Sequence, residues 1–232
     1  MQTVLYYADV SDFGKEGSGP DSIRFESLEE TKAYKELYDR LPKYRRSKID
    51  RLRYEKDKRL SLGAGALLIH ALSEAGLPCD AEIVTAENGK PYLKDFPGVY
   101  FNLSHSGDKV ICIISDHEVG CDVEKIRDRY DGVKNRFYMP GEREAIDACE
   151  DPEERRKLFF RYWTMKESYV KATGKALATE IENMDISDCP GYTFHEFDIF
   201  EGYCVSCCIK GECEIVLQKE GLTRLVFLPD NM

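Results

Sequence analysis

The stretch Phe101–Glu124, FNLSHSGDKVICIISDHEVGCDVE, constrains the fold more than any other part of the chain. It reads as three strands joined by two turns. Val110–Ile114 is too apolar and too β-branched to lie wholly on a surface. Ser104-His105-Ser106-Gly107 and Ser115-Asp116-His117-Glu118 carry turn chemistry. The third strand ends in Gly120-Cys121-Asp122-Val123-Glu124. Alternation puts Asp122 and Glu124 on one face, roughly 7 Å apart, with Val123 on the other. Gly120 leaves room beside them. Two like charges on one face repel, so they meet water, pair with cations, or hold a hard divalent ion such as Mg²⁺ or Mn²⁺. Spacing alone leaves solvated carboxylates and a metal site both open.

The rest of the chain reads as mixed α and β. Val4–Val10 is an opening strand, and the Gly-, Ser- and Asp-rich Ser11–Pro20 a loop. Leu28–Leu41 has helical spacing and is followed by Pro42. Lys43–Arg59 is strongly basic: it includes Arg45, Lys48, Arg51 and Arg59, opposed only by Asp50, Glu55 and Asp57. Such a run is either a solvated helix face with internal ion pairs or a local positive field for a phosphate-rich or acidic partner. Leu60–Ala75 is a buried helix with small residues at Gly63–Ala66, closed by Gly76. His70 inside it reads as a core histidine. Glu82–Glu87 and Pro91–Leu93 are strands around a two-residue turn at Asn88-Gly89, with Lys90 at its edge.

Phe137–Cys149 reads as a short helix with Pro140 in its first turn. Glu153–Thr173 is a longer helix ended by Gly174. Its apolar stripe is Leu158, Tyr162, Met165, Tyr169 and Ala172, with Trp163, Glu167 and Lys171 on a neighbouring stripe and Lys166 alongside. Read alone, Glu167 and Lys171 are an ordinary pair one turn apart. Four further strands follow: Tyr192–Phe200, Tyr203–Ile209, Ile215–Gln218 and Leu225–Leu228.

Composition narrows the class. With 232 residues the chain buries a sizeable core, as one domain or two small halves. A net charge of −10 argues against non-specific nucleic-acid binding. No apolar run reaches the roughly 20 residues of a membrane span, and the N-terminus lacks a signal-like pattern. The nine cysteines are odd in number and unevenly spaced, which suits reduced thiols in a cytoplasm. Cys204, Cys207, Cys208 and Cys213 cluster, but adjacent Cys207 and Cys208 point to opposite faces of a strand. Buried thiols explain them better than zinc. P-loop, GxGxxG, HExxH and GxSxG motifs are absent from the sequence.

Four separated motifs stand together in order: Gly89-Lys90-Pro91, Phe101-Asn102-Leu103-Ser104-His105-Ser106, Gly120-Cys121-Asp122-Val123-Glu124, and Trp163-Thr164-Met165-Lys166-Glu167-Ser168-Tyr169-Val170-Lys171. In this order and spacing the chain resembles the Sfp-type 4′-phosphopantetheinyl transferases; each fragment alone is weak, the set is specific. The resemblance spans Gly89–Lys171, extends through the basic run, and is one of pattern only beyond Ala178. It implies an α+β, pseudo-twofold fold of two similar halves with the active site at their junction, divided here as residues 1–115 and 116–232. It implies transfer of 4′-phosphopantetheine from coenzyme A to a serine of an apo acyl or peptidyl carrier protein, releasing adenosine 3′,5′-bisphosphate. It makes Asp122, Glu124 and Glu167 ligands of Mg²⁺, with Mn²⁺ a substitute. It assigns Arg59, Lys90, Ser104 and His105 to the nucleotide end of coenzyme A, and Lys166 and Lys171 to its phosphates. Arg45 and Lys48 are alternatives within the basic run, which aligns in more than one register. Glu167 is the candidate base, directly or through a water, and Lys171 stabilises the leaving group. Cys121 is an unusual filler that should point away from the metal. Phe137, Tyr138 and Met139 are candidates for a carrier-docking patch, against simple burial.

By family analogy the length favours the monomeric, broad-specificity type. Two other functions fit the same residues: a metal-dependent hydrolase of coenzyme A or a related pyrophosphate, and a catalytically silent carrier-binding protein.

Overall fold

In a computed structural model, residues 1–11, 32–128, 132, 134–174, 181–182 and 184–221 are described. The expected loop Ser11–Pro20 (past its first residue), the start of the helix expected from Leu28, and the expected strand Leu225–Leu228 lie outside them.

The first half is built on strand β1 (Thr3–Asp9), helices α1 (Lys32–Arg40), α2 (Lys43–Asp50) and α3 (Glu55–Glu74), the β2 (Ile83–Thr85) and β3 (Pro91–Leu93) hairpin, and strands β4 (Tyr100–Ser106) and β5 (Lys109–Ser115). The second half holds β6 (Val119–Lys125), α4 (Lys134–Phe137), α5 (Pro140–Ala148), α6 (Pro152–Thr173), β7 (Tyr192–Glu196), β8 (Tyr203–Lys210) and β9 (Ile215–Lys219). The architecture is α+β. One sheet has the order β4-β5-β1-β9, the other β6-β8-β7. All pairings are antiparallel except β1 with β9, which run parallel. Thus β9, from the far end of the chain, completes the sheet begun by β1.

Each main sheet carries one long helix. Helix α3 packs Leu62, Leu67, Leu68 and Leu72 onto Tyr6, Phe101, Val110, Cys112 and Ile114. The opposite face of that sheet, through Leu5, Ile111 and Ile113, shares a core with Val119, Cys121, Val123, Val205, Cys207 and Ile209 of the second sheet. Helix α6 covers the other side of β6 and β8. Pro152 stands in its first turn, the Asp151 side chain accepts a hydrogen bond from the Glu153 N–H (3.0 Å), and Gly174 closes it at φ 69°.

Gly120 sets how close α6 approaches. A Cβ there would lie 2.1 Å from the Ser168 carbonyl oxygen and 2.4 Å from the Ala172 nitrogen. The room expected beside the acidic pair is therefore filled by the helix backbone itself. A close crossing requires small groups on the helix as well. The buried face of α6 accordingly includes Thr164 and Ser168, and Thr164 Oγ1 shares a hydrogen bond with Ser206 Oγ at 2.8 Å. Of the expected apolar stripe, Leu158, Tyr162, Met165 and Tyr169 are only half-buried; Ala172 is buried.

Three local expectations change. Ser104-His105-Ser106 is strand, and the turn is Gly107-Asp108, with Gly107 at φ 61°. The basic run is two helices, α2 and α3, interrupted at residues 51–54. The β2–β3 connection is longer than two residues, running from Ala86 to Lys90: Ala86 N–H donates to the Lys90 carbonyl, and Gly89 takes the left-handed position at φ 85°.

His70 is buried in α3, with Nε2 3.3 Å from Glu220 Oε1 just beyond β9.

Candidate active site

Where the two sheets meet, β4 and β6 lie side by side and are joined by side chains. Cys121 N–H donates to Asn102 Oδ1 (3.0 Å), Val123 N–H to Ser104 Oγ (3.3 Å) and Lys125 N–H to Ser106 Oγ (3.1 Å). Every second residue of β4 thus satisfies every second amide of β6. The same hydroxyls reach the acidic pair. Ser104 Oγ donates to Asp122 Oδ1 at 2.8 Å, and Ser106 Oγ to Glu124 Oε2 at 2.7 Å.

Helix α6 faces this seam with Glu167 and, one turn on, Lys171. The Lys171 ammonium donates to Asp122 Oδ1 (2.6 Å) and Ser104 Oγ (3.2 Å). Asp122 is 3% exposed, and its second oxygen, Oδ2, is buried without a hydrogen-bond donor. Glu167 is also buried. Burial first, then the negative charges of Asp122 and Glu124, push its pKa from 4.5 to about 7, against the pull of Lys171. Burial also raises the Glu124 carboxyl, while the Ser106 hydrogen bond opposes it. Burial works against the Lys171 charge, yet Asp122 and Glu167 outweigh it and hold the pKa above the ordinary lysine value.

The structure therefore gathers Asp122, Glu124, Glu167, Lys171 and Ser104 at one seam. Among the described residues, no three acidic, histidine or cysteine side chains are already spaced to clasp an ion. The donor set is nevertheless that of a hard cation: carboxylate oxygens from two elements, one oxygen buried and unpartnered, and a third carboxyl discouraged from ionising by the other two.

One prediction follows from Glu167. A carboxyl with a raised pKa holds more protons folded than unfolded. Its contribution to stability is complete below its unfolded pKa and is lost as pH rises through about 7. In metal-free protein, the thermal midpoint of the wild type should therefore fall relative to Glu167→Gln between about pH 5 and pH 8. Parallel profiles for the two proteins would contradict this.

The remaining expected residues are dispersed around the seam. His105 lies on the α3 face of β4 and is exposed to solvent at its edge; desolvation by the surrounding protein, then the charges of Arg45 and Lys171, lowers its pKa. Arg45 is buried and donates to the Ser61 carbonyl (2.6 Å) and Ser61 Oγ (3.1 Å), tying α2 to α3. Arg59 lies at the start of the second turn of α3, and its Nε, like that of Arg45, is buried without an acceptor. Lys48 lines a cavity of about 650 Å³ between α2 and the β2–β3 hairpin, with Lys43, Tyr44, Arg51, Glu82 and Gly89. Lys90 donates to the carbonyls of Ala172 (2.5 Å) and Val119 (3.4 Å). It stands at the C-terminal end of α6, where a cation is favoured, and burial lowers its pKa to about 8.

Lys166 is a correction. Its side chain is fully buried on the other side of α6, 2.9 Å from Glu142 Oε2, over the Tyr138 ring and donating to the Met184 carbonyl. Neighbours in sequence lie about 100° apart around a helix, so Lys166 cannot share the direction of Glu167. It holds α5 and the 184–186 segment against α6 instead of meeting a phosphate. Lys166→Met, which strands Glu142, should cost about 3–5 kcal/mol in denaturant unfolding. Lys166→Met with Glu142→Gln should recover much of it, since Gln still accepts from the Met139 N–H that Glu142 now bonds at 2.8 Å.

Tyr138 is buried at 3% exposure and donates to the Phe159 carbonyl, so it supplies no docking surface; Phe137 packs edge-on against Trp163. Cys121 is buried beside Asn102, away from the carboxylates, and burial raises its pKa to about 12. Cys204, Cys207 and Cys208 are buried free thiols.

Asn102, Ser106 and Glu142 are the residues that sequence reasoning missed. For the first two a signal existed. Read as strand, FNLSHS places Asn102, Ser104 and Ser106 on one face at period two. Glu142 had none, because its partner lies on another helix.

Two family models match the chain, one in each half. The family described as 4′-phosphopantetheinyl transferase superfamily matches residues 118–212, and that described as 4′-phosphopantetheinyl transferase, N-terminal, matches residues 29–117. The chain is 34% identical over 163 residues to the 4′-phosphopantetheinyl transferase psf-1 of Bacillus pumilus, covering 68% of this chain and 69% of that protein. It is 30% identical over 145 residues to the 4′-phosphopantetheinyl transferase Sfp of Bacillus subtilis (strain 168), covering 61% and 64%. Against the 4′-phosphopantetheinyl transferase AcpT of Escherichia coli (strain K12) it is 41% identical over 127 residues, covering 53% and 62%. The matched stretch thus spans about two thirds of these relatives' length. The chain belongs to the 4′-phosphopantetheinyl transferase superfamily, a class of enzymes.

Proposed function

We propose that the chain transfers the 4′-phosphopantetheine group of coenzyme A to a serine hydroxyl of an apo carrier protein, releasing adenosine 3′,5′-bisphosphate. The observation that carries this is the seam itself: a buried Asp122 with one unpartnered oxygen, facing Glu167 and Lys171 from a second element.

In this reading Asp122, Glu124 and Glu167 hold Mg²⁺, for which Mn²⁺ can substitute. Bound there, the ion offsets charge on the pyrophosphate as its bond breaks. Ser104 and Ser106 orient the two β6 carboxylates. Glu167 accepts the serine proton directly or through a water. Lys171 places fixed positive charge where the departing phosphate forms. The serine oxygen bonds to the phosphorus carrying pantetheine as the bridging P–O bond to the nucleotide phosphate breaks. The cavity between α2 and the β2–β3 hairpin, lined by Lys48 and Arg51, suits the nucleotide end.

An acidic carrier would be met by local rather than net charge, because this chain itself carries a net charge of −10. A cytoplasmic setting suits coenzyme A and free thiols. Among the described residues no helix is long and apolar enough to cross a membrane.

The test is to incubate the protein with coenzyme A, Mg²⁺ and an apo carrier, then weigh the carrier. Gain of one phosphopantetheinyl unit is expected. Coenzyme A cleavage without a carrier would instead indicate a hydrolase, and complex formation without chemistry a carrier-binding protein.

A further inference from the structure

Asp122 already has a cation. The Lys171 ammonium sits 2.6 Å from Oδ1 and is steadied by Ser104 Oγ at 3.2 Å. Glu124 is engaged by Ser106, and among the described residues no three ligand-type side chains stand close enough to form a cage. Asp122 Oδ2, nine-tenths buried with its residue, has no hydrogen-bond donor.

A divalent ion entering this seam alone would meet an ammonium on the carboxylate it needs. It would have to share Asp122 with a like charge at contact range, or expel the lysine into a mostly buried surrounding. The Lys171 side chain is 26% exposed, against 5% for that of Asp122. Of the two, the lysine has a path outward. It hangs from the last turn of α6, close to Gly174, so it can swing without moving the helix.

A pyrophosphate changes this balance. It brings its own negative charge, which can take over the ammonium, and its own oxygens, which can complete the cage.

We propose that Lys171 is a built-in counter-ion that reserves the carboxylate seam against free divalent cations until a pyrophosphate ester draws it away. Metal and coenzyme A then bind as a pair, each tightening the other by the same factor. This rests on the metal-dependent reading above and specifies the order in which its ligands assemble.

The test uses Mn²⁺ as the probe, with free Mn²⁺ followed by electron paramagnetic resonance in the full chain, without and with coenzyme A. Without coenzyme A, Lys171→Met should bind Mn²⁺ about tenfold or more tightly than the wild type, because the competing charge is gone. Lys171→Arg, which keeps the charge, should remain near the wild type. The factor by which coenzyme A tightens Mn²⁺ should be large in the wild type and Lys171→Arg, and several-fold smaller in Lys171→Met. Equal or weaker Mn²⁺ binding by Lys171→Met without coenzyme A overturns the proposal. An equal coenzyme A effect in wild type and Lys171→Met also overturns it. If Lys171→Met does not fold, Lys171→Gln answers the same question.

Asp122→Asn separates this failure from failure of the metal reading. If Mn²⁺ binding with coenzyme A present is unchanged in Asp122→Asn, the seam is not the metal site at all.

Discussion

Replacing Asp122 with Ala should lower carrier modification about a thousandfold or more, on the order of 4 kcal/mol in the barrier, while the protein stays folded. Asp122 is the most connected acidic group at the seam. It takes hydrogen bonds from Ser104 and Lys171, and keeps a buried oxygen free. Its removal takes away one metal ligand and the partner of Lys171. The fold should survive, because Lys171 can turn toward water and Ser104 still accepts from the Val123 amide. The measurements are carrier mass after reaction with coenzyme A and Mg²⁺, and far-ultraviolet circular dichroism with a thermal melt. Near-normal turnover in a folded Asp122→Ala protein would remove Asp122 from the chemistry.

Gly120→Ala should be severely damaging for a single added methyl. The new carbon would lie 2.1 Å from the Ser168 carbonyl oxygen, 2.4 Å from the Ala172 nitrogen and 2.8 Å from the Lys171 carbonyl carbon. All three are backbone atoms, so no rotamer relieves the clash and α6 must shift as a body. Overpacking of this kind costs about 3 kcal/mol or more. In a chain of this size that lowers the melting midpoint by roughly 6–12 °C. Glu167 and Lys171 ride on the displaced helix, and a misplacement of about 1 Å costs roughly a hundredfold in rate. Loss of activity with an unchanged melt would separate the two effects. A variant normal in both would show that the helix does not need this approach.

The chemistry of the site was more legible in the sequence than its construction. The Asp122–Glu124 spacing, Gly120 before it and the Glu167–Lys171 turn all follow from periodicity and motif. The serine ladder did not. Ser104-His105-Ser106-Gly107 has the composition of a turn, and only the neighbouring strands, β5 paired on one side and β6 unsatisfied on the other, make it extended. Tertiary context overrode local preference there.

Lys166 failed for a different reason. A motif places residues in a line, whereas a helix distributes them around an axis, and the buried Glu142 on α5 decided which way this lysine points. The apolar stripe assigned to α6 is only half-buried because, where the helix crosses Gly120 closely, it buries the small Thr164 and Ser168, while Phe159 and Phe160 fill the core nearer its start. The return of β9 to β1 left no local trace, since parallel pairing joins residues at opposite ends of the chain.

The join between the sheets differs in kind from the sheets themselves. Main-chain pairing is nearly indifferent to which side chains it carries, so most substitutions leave it standing. Between β4 and β6 the acceptors are one asparagine amide and two serine hydroxyls. The rungs that bind one lobe to the other are thus encoded residue by residue. A single codon change can loosen the cleft at one rung while both flanking sheets remain whole, which makes lobe spacing a property that mutation can adjust separately from the fold.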